Sequence, residues 1–360
     1  MARLRRILLT GDAARGVWRY GLELARGLAE RGVQPVLALL GQSPDAERLR
    51  EARQIPGLRV IVTGLPTEAS LTNEGELREA GAALAGLALR VRADSVHLHT
   101  PALAAEVPWA MPVVVTTHSD IGTWWGAVHR EPLPAEIAWR IAAVGRGLAE
   151  ADAVIAPSRS YAQALARLYR PGRPISVVHK GCTPLSLPPL PRCQAVLTAG
   201  RLWDEGENIA LLDRAAANLD APVLAAGPVA GPNGAMAELA HLSTLGPLAE
   251  PALAAAMAQA SVFVAPARYA PFGLPVLEAA QAGMALALAD IPGFRELWGG
   301  VALFFHPEDP AGLGDALNRL LAHPAAPGAR ARRHASRYNP DGMVEGTLAI
   351  HRQVVESRPA

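Results

Sequence analysis

The sequence YAPFGLPVLEAA at residues 269–280 gives the most direct indication of the fold. An apolar run at residues 261–265 comes directly before it and is typical of a buried strand. Gly273 then predicts a turn, and Pro275 predicts the start of a helix. The backbone N–H groups of the first helical turn have no acceptor within the helix, so proline, which lacks an N–H, is tolerated there. The sequence therefore predicts a strand, a tight turn and a helix in succession.

An anion site is predicted at this corner. The amides of Phe272, Gly273 and Leu274 would lie at the N-terminus of the helix, where backbone donors and the helix dipole attract negative charge. Glu278 lies about one turn further on, within reach of hydroxyl groups on a ligand whose phosphates rest on those amides. An ordinary strand–turn–helix corner with a solvated glutamate is the alternative.

Composition indicates a globular protein that is large enough for two domains. The chain has 360 residues, of which 50% are hydrophobic and 19% are charged. A net charge of +1 without a long basic run gives no indication of nucleic-acid binding. Cys182 and Cys193 offer no metal-binding spacing and favour a reducing, cytoplasmic setting. Lys180 is the only lysine, so arginine has to supply most of the positive charge.

No transmembrane segment is expected. The apolar run near the N-terminus is too short for the core of a signal peptide. The longest uncharged stretch, residues 251–267, is shorter than a membrane span and fits a helix followed by a strand. Peripheral contact with a membrane surface stays open.

Strand-like and helix-like segments alternate along the chain, which predicts α/β domains with parallel, doubly wound sheets. Four prolines at residues 184–191 predict a linker between two such domains. We therefore expect domains at residues 1–183 and 192–340 and a last helix at residues 341–360. A short helix is also expected near residues 236–242.

Several motifs along nearly the whole chain resemble those of glycosyltransferase family 4: DAARGVW at 12–18, SVHLH at 95–99, TTHSD at 116–120, VVHKG at 177–181, AGRL at 199–202 and the stretch 269–278. The resemblance implies a GT-B fold, with two facing Rossmann-like domains and a cleft between them. It also implies a retaining transferase that moves a sugar from a nucleotide-diphosphate sugar, such as a UDP- or GDP-sugar, to a hydroxyl of a sugar or lipid-linked acceptor. Neither a metal nor another cofactor is expected. By the same resemblance, the last helix returns to the first domain; a helix that stays with the second domain is the alternative.

The resemblance also assigns roles to individual residues. Arg201 would clamp the donor diphosphate, Glu278 would hold the ribose, and His118 would contact the transferred sugar. Gly16 and the amides at 272–274 would approach the donor phosphates, and the acceptor side would include His99, Asp120 and Trp124. Simpler roles remain for several of these residues: an ion pair for Arg201, a satisfied strand-end histidine for His118, a plain turn for Gly16 and core packing for Trp124. A metal pair of His97 and His99 lacks a third ligand at a diagnostic spacing.

Two residues depart from the family pattern. The first glutamate of the family's Glu-x7-Glu region is Ala270 here, and the usual phosphate-binding lysine is replaced by Glu207. Loss of one transition-state contact lowers the reaction rate by a factor of roughly 10²–10³. Lys180 or Arg15 is a candidate replacement for the missing lysine. The departures leave two alternatives to transfer: a catalytically impaired scaffold that binds nucleotide or sugar as a partner subunit, and an epimerase or hydrolase acting on the nucleotide sugar.

Overall fold

The protein is described by a computed structural model that covers residues 4–12, 15–105, 107–232 and 234–358. It divides into two compact units. The first comprises Met1–Trp125, Glu131–Cys182 and Asn339–Ala360, and the second comprises Gly126–Arg130 and Thr183–Tyr338. The main boundary thus comes just before the proline-rich segment at residues 184–191, where the structure has no helix or strand.

Within the described residues, the first unit contains a seven-stranded sheet in the order β3-β2-β1-β4-β5-β6-β7, and all of its pairings are parallel. This order extends the arrangement of a Rossmann fold. Its strands are β1 Arg6–Gly11, β2 Gln34–Leu39, β3 Arg59–Val62, β4 Ser95–Leu98, β5 Val113–Thr116, β6 Ala153–Ala156 and β7 Ile175–Val177. Its helices are α1 Arg15–Glu30, α2 Ala46–Arg53, α3 Glu74–Arg90, α4 Ile121–Val128 (whose last three residues are grouped with the second unit), α5 Ala135–Glu150 and α6 Arg159–Tyr169.

Side-chain caps fix where several of these helices begin. Asn73 accepts a hydrogen bond from the amide of Glu76 at the start of α3, and Ser158 accepts one from the amide of Tyr161 at the start of α6. Such caps replace hydrogen bonds that the first helical turn cannot make internally.

The last helix, α13 (Pro340–Ser357), belongs to the first unit and packs against α1. Its Met343, Val344 and Leu348 are buried in the same hydrophobic core as α1 and β1. A Cβ atom on Gly27 of α1 would lie 2.4 Å from Val344 Cγ2, so only glycine permits this close approach. An ion pair between Arg31 and Asp341, at 2.8 Å, adds a contact at the edge.

The second unit repeats the architecture with a six-stranded parallel sheet among its described residues, in the order β10-β9-β8-β11-β12-β13. Its strands are β8 Cys193–Ala199, β9 Val223–Ala226, β10 Ser243–Gly246, β11 Ala260–Ala265, β12 Ala285–Ala289 and β13 Leu303–Phe305. Its helices are α7 Ile209–Ala216, α8 Glu250–Gln259, α9 Leu274–Gln281, α10 Pro292–Trp298, α11 Pro310–Ala322 and α12 Ala325–Ala335.

The helix expected near residues 236–242 is wrong. The segment is an extended loop, and the amides of Ala240, His241 and Leu242 donate to the carboxylate of Asp213 on α7 at 2.8–3.2 Å. One buried carboxylate therefore satisfies backbone donors that a helix would have satisfied internally. Within the described ranges, every helix is too short or too polar to cross a bilayer.

Candidate functional site

The two phosphate-binding features predicted from the sequence lie next to each other in the second unit. Strands β8 and β11 are parallel neighbours, so the loop that carries Arg201 and the turn at Gly273 leave the same edge of the sheet. The amides of Arg268 and Tyr269 donate to the carbonyl oxygen of Gly206, at 2.8 and 3.4 Å, and thereby join the two loops directly. This is the carboxyl edge, where ligands bind in open α/β sheets.

Asn208 connects three loops at this edge of the sheet through hydrogen bonds of its side chain. It is buried and has a left-handed backbone with φ 54°, and its side-chain amide donates to the carbonyls of Pro266 at 3.0 Å and Pro307 at 2.9 Å. One side chain thus ties together the segments that follow β8, β11 and β13. The backbone donors at the edge are held in place before any ligand arrives.

The turn at Gly273 leads directly into the N-terminus of α9. Gly273 caps α9 with φ 81°, and a Cβ atom there would lie 2.9 Å from a ring carbon of Phe294. Phe272 is buried edge-on against Tyr338, with ring centroids 5.6 Å apart. Among the described residues, none accepts the amide hydrogens of residues 272–274. Three donors therefore remain free at the positive end of a helix.

Glu278 is buried in α9, with 4% of its surface exposed. The alternative of a solvated helix glutamate is therefore wrong. Buried carboxylates in proteins are held by polar partners, so Glu278 faces protein groups and not the solvent.

Arg201 follows β8 directly after Gly200 and pairs with Asp204, with a nitrogen–oxygen distance of 2.7 Å. Its guanidinium carbon lies 5.9 Å from the centroid of the Trp203 ring, and 57% of the side chain is exposed. A guanidinium has five N–H donors, and one carboxylate does not use them all. The ion pair thus orients the arginine and leaves donors available for a diphosphate.

Glu207 is half-buried beside this arginine. Its carboxyl group lies against Gly200, where a Cβ atom would be 3.1 Å from the carboxyl carbon. Burial raises the pKa of Glu207 to about 7; the charge of Arg201 and a hydrogen bond from its amide oppose the shift, and Asp204 adds to it. At neutral pH a large part of this carboxyl group is therefore protonated, which reduces its repulsion of a phosphate.

A cluster of buried aromatic and basic side chains occupies the corresponding edge of the first sheet. The ring of Tyr20 on α1 lies edge-on to His99 and His118, at centroid distances of 5.3 and 4.6 Å. His97 packs edge-on against His99 at 5.1 Å. The ammonium nitrogen of Lys180 lies 5.9 Å from the centroid of the Tyr20 ring. His99 and His118 follow the neighbouring strands β4 and β5 at their carboxyl ends.

Burial disfavours the charged forms of the histidines and the lysine in this cluster. It lowers the pKa of His97 to about 3 and that of Lys180 to about 7. It also lowers the pKa values of His99 and His118 far below 6.5, and Lys180 adds to both shifts. Neither ring nitrogen of His99 or His118 has a hydrogen-bond partner among the described residues. Neutral imidazoles each offer one donor and one acceptor, a combination that suits hydroxyl groups better than phosphates.

Sequence models of glycosyltransferases match both halves of the chain. A sequence model of Glycosyltransferase Family 4 matches residues 14–184, and one of glycosyl transferases group 1 matches residues 193–323. A D-inositol 3-phosphate glycosyltransferase of Catenulispora acidiphila is 30% identical over 399 residues, which cover 96% of this chain and 92% of the relative. The chain belongs to glycosyltransferase family 4.

One further relative and two solved structures are also similar to this chain. A glycogen synthase of Mycobacterium tuberculosis is 29% identical over 278 residues; the match covers 69% of this chain and 65% of the length of the synthase. Sucrose-phosphate synthase of Thermosynechococcus elongatus has a TM-score of 0.76 at 18% identity, with 98% of this chain and 100% of that chain covered. Anabaena HepE in complex with UDP-glucose has a TM-score of 0.71 at 16% identity, with 98% of each chain covered. The predicted GT-B fold class is confirmed.

Some residues that the family pattern suggested are engaged elsewhere in this family 4 chain. The carboxylate of Asp120 accepts hydrogen bonds from the amides of residues 122 and 123 and from the hydroxyls of Thr123, Tyr161 and Tyr169, so it anchors the start of α4. Trp124 is half-buried and packs against Trp125, with ring centroids 6.2 Å apart. The acceptor-side roles of Asp120 and Trp124 stay predictions.

The structure says little about the loop at residues 12–18, which resembles the phosphate loop of the family. Gly16 is exposed on the first turn of α1, and a Cβ atom there would meet nothing within 4 Å, so packing alone does not require glycine. The side chain of Arg15 lies outside the described part of the structure. Lys180 belongs to the histidine cluster of the first unit. In the part of the chain that the structure describes, no three histidine, cysteine or carboxylate side chains come close enough to share a metal ion.

Sequence reasoning missed a chain of hydrogen bonds behind the cluster. His351 on α13 lies 2.8 Å from the hydroxyl of Ser95 and 2.9 Å from His97 Nδ1. The Ser95 hydroxyl donates to Pro112 O at 3.1 Å, so it accepts from His351 Nδ1, and His351 Nε2 in turn accepts from His97 Nδ1. All three side chains are buried. The one available signal was a lone histidine on the apolar face of the last helix.

Proposed function

We propose that this family 4 protein transfers a sugar from a nucleotide-diphosphate sugar to a hydroxyl acceptor, with retention of anomeric configuration and without a metal. The observation that carries the proposal is the convergence of Arg201 and the three free amides at residues 272–274 on one edge of the second sheet. A guanidinium and a helix N-terminus are both features that proteins use to bind phosphate groups.

Sugar transfer requires stabilisation of the negative charge that develops on the departing nucleoside diphosphate. When the bond between the anomeric carbon and the phosphate oxygen breaks, the bonding electrons remain on the nucleoside diphosphate. Arg201 and the amides at 272–274 stabilise that negative charge, and they are already oriented by Asp204 and by the Gly273 turn. The acceptor oxygen bonds to the anomeric carbon, and its proton passes to the departing phosphate. Buried Glu278 holds the ribose hydroxyls.

The first unit supplies groups that suit a sugar. The unpartnered nitrogens of His118 and His99 match hydroxyl groups of the transferred sugar or of the acceptor, because neutral imidazoles both donate and accept. Unsatisfied buried polar groups are costly in a folded protein and recur at functional sites. The complex of HepE with UDP-glucose supports a uridine nucleotide sugar as the first donor to test.

Nucleoside diphosphate release tests this function and separates it from the alternatives. The purified protein is incubated with UDP- and GDP-sugars, with and without a cell extract that supplies acceptors, and the released diphosphate is measured. Transfer requires release that depends on the acceptor extract and a sugar label that appears in the extract. Release without acceptor would indicate a hydrolase or epimerase. If no nucleotide raises the melting temperature and no diphosphate is released, the proposal is wrong.

A further inference from the structure

The region around α12 carries unbalanced positive charge. Residues 316–340 contain five arginines and no carboxylate, whereas the whole chain has a net charge of only +1. Within the described residues, none of these arginines forms an ion pair or a side-chain hydrogen bond: Arg319, Arg330, Arg332, Arg333 and Arg337. Unpaired arginines on an otherwise balanced protein indicate a surface that attracts anions.

A cavity of about 560 Å³ opens beside this helix in the second unit. Arg192 and Arg332 are the charged residues of its lining, and no aspartate or glutamate contributes to it. Both arginines approach Gly283: a Cβ atom there would lie 3.7 Å from Arg192 Nη2 and 3.8 Å from Arg332 Cδ. Burial lowers the pKa of Arg192, and the charge of Arg332 lowers it further. The two guanidinium groups therefore repel each other across a space that no protein carboxylate neutralises.

Arg192 is fixed in place by the backbone. Its Nη1 donates to the carbonyl oxygens of Ala260 at 2.5 Å and Met257 at 3.4 Å, and its Nη2 donates to that of Ala282. These bonds use three of its five N–H groups, and the remaining two have no acceptor among the described residues. A guanidinium held in this way loses little conformational entropy when it binds an anion.

We propose that this cavity binds a small phosphate-bearing anion between Arg192 and Arg332. Two guanidinium groups match the oxygens of a phosphate, and a bound anion would remove the repulsion between them. The site lies apart from the candidate diphosphate site. Arg192 directly precedes β8, whereas Arg201 follows it, so the two sites lie at opposite ends of the same strands.

Cys193 lines the cavity and provides a local probe. It is exposed and free, whereas the second cysteine, Cys182, is buried. The experiment measures alkylation of Cys193 by uncharged iodoacetamide, by mass spectrometry, in rising inorganic phosphate, with sodium chloride at matched ionic strength as the reference. Bound phosphate should cover the thiol and slow its alkylation saturably, by roughly tenfold at ten times the dissociation constant, because the rate follows the fraction of free sites.

Matched variants locate the effect. Arg332→Gln should abolish protection of Cys193, and Arg337→Gln, an exposed arginine outside the cavity lining, should retain it. Arg201→Gln should also retain it, which excludes phosphate bound at the other end of the sheet as the cause. Arg192 is left intact because it supports the backbone.

Three outcomes would overturn the proposal: equal alkylation rates in phosphate and chloride, protection that persists in Arg332→Gln, or protection that appears only with phosphatidylglycerol vesicles and not with phosphate or glycerol 3-phosphate. None of these readouts depends on sugar transfer. Failure of this proposal and failure of the proposed function are therefore distinguishable.

Discussion

Replacement of Glu207 by glutamine should stabilise the second unit at alkaline pH and have little effect at acidic pH. Burial raises the pKa of the Glu207 carboxyl from 4.5 to about 7. Below pH 4.5 the group is neutral in the folded and the unfolded chain alike, and it contributes no pH dependence. As the pH rises from 4.5 to 7, the unfolded chain loses its proton freely and the folded chain does not. The native protein therefore loses stability over this window and does not regain it above pH 7.

The size of the effect follows from the shift. A rise from 4.5 to about 7 corresponds to roughly 3 kcal/mol of unfolding free energy at pH 8. Glu207 is only half-buried, so solvent screening reduces this figure, and we expect a gain of roughly 1–3 kcal/mol for Glu207→Gln. Glutamine keeps the oxygen that accepts the hydrogen bond from the Arg201 amide, so the substitution removes charge and little else.

Thermal unfolding of the native protein and the variant at pH 5 and pH 8 tests this expectation. For a unit of this size, each kcal/mol raises the melting temperature by about 2–4 °C. Glu205→Gln serves as the control, because Glu205 is an exposed carboxylate in the same loop. The reasoning fails if Glu207→Gln gives no more stability at pH 8 than at pH 5, or if Glu205→Gln gives the same gain.

Four further substitutions test the site and its supports. Arg201→Lys should lower kcat by roughly 10²–10³-fold, because lysine lacks the planar fork that binds a diphosphate, while Arg214→Lys on the exposed face of α7 should not; steady-state kinetics decide. Gly273→Ala should lower the melting temperature more than Gly300→Ala, since both have φ 81° but only Gly273 also meets Phe294; equal losses would contradict this. Ala270→Glu should raise kcat by roughly tenfold or more by restoring a contact to the donor sugar, and Ala270→Gln should raise it less. His351→Leu should lower the unfolding free energy by about 1–3 kcal/mol in urea, because Ser95 and His97 lose their shared partner; an unchanged midpoint would refute that role.

Local sequence signals predicted most of the fold correctly. The apolar run at residues 261–265 predicted β11, Gly273 predicted the turn, and Pro275 predicted the start of α9. Each of these signals depends only on the conformational preferences of a few adjacent residues. The family resemblance, and not the strand pattern, implied that Arg201 and the Gly273 turn belong to one site. The strand pattern alone did not make β8 and β11 neighbours, because β9 and β10 come between them in the sequence.

Features that depend on distant residues were not predictable in this way. Residues 236–242 have a helix-like composition, but Asp213, more than twenty residues earlier, binds their amides in an extended loop. The hydrogen-bonded chain from Ser95 to His351 joins residues more than 250 positions apart. No local pattern in the sequence encodes either arrangement.

Burial affects how much positive charge Lys180 carries near neutral pH. Lys180 looked from the sequence like a replacement for the lysine that the family places beside the diphosphate. Burial lowers its pKa to about 7, so near neutral pH its charge is partial and changes with every small shift in pH. The side chain of Arg201, by contrast, is largely exposed. In the proposed function, Arg201 and the helix N-terminus at Gly273 supply the positive charge for the leaving diphosphate, and a phosphate contact for Lys180 stays a prediction. Lys180 lies with the buried histidines of the first unit, so we expect any contribution it makes to ligand binding to vary with pH near neutrality.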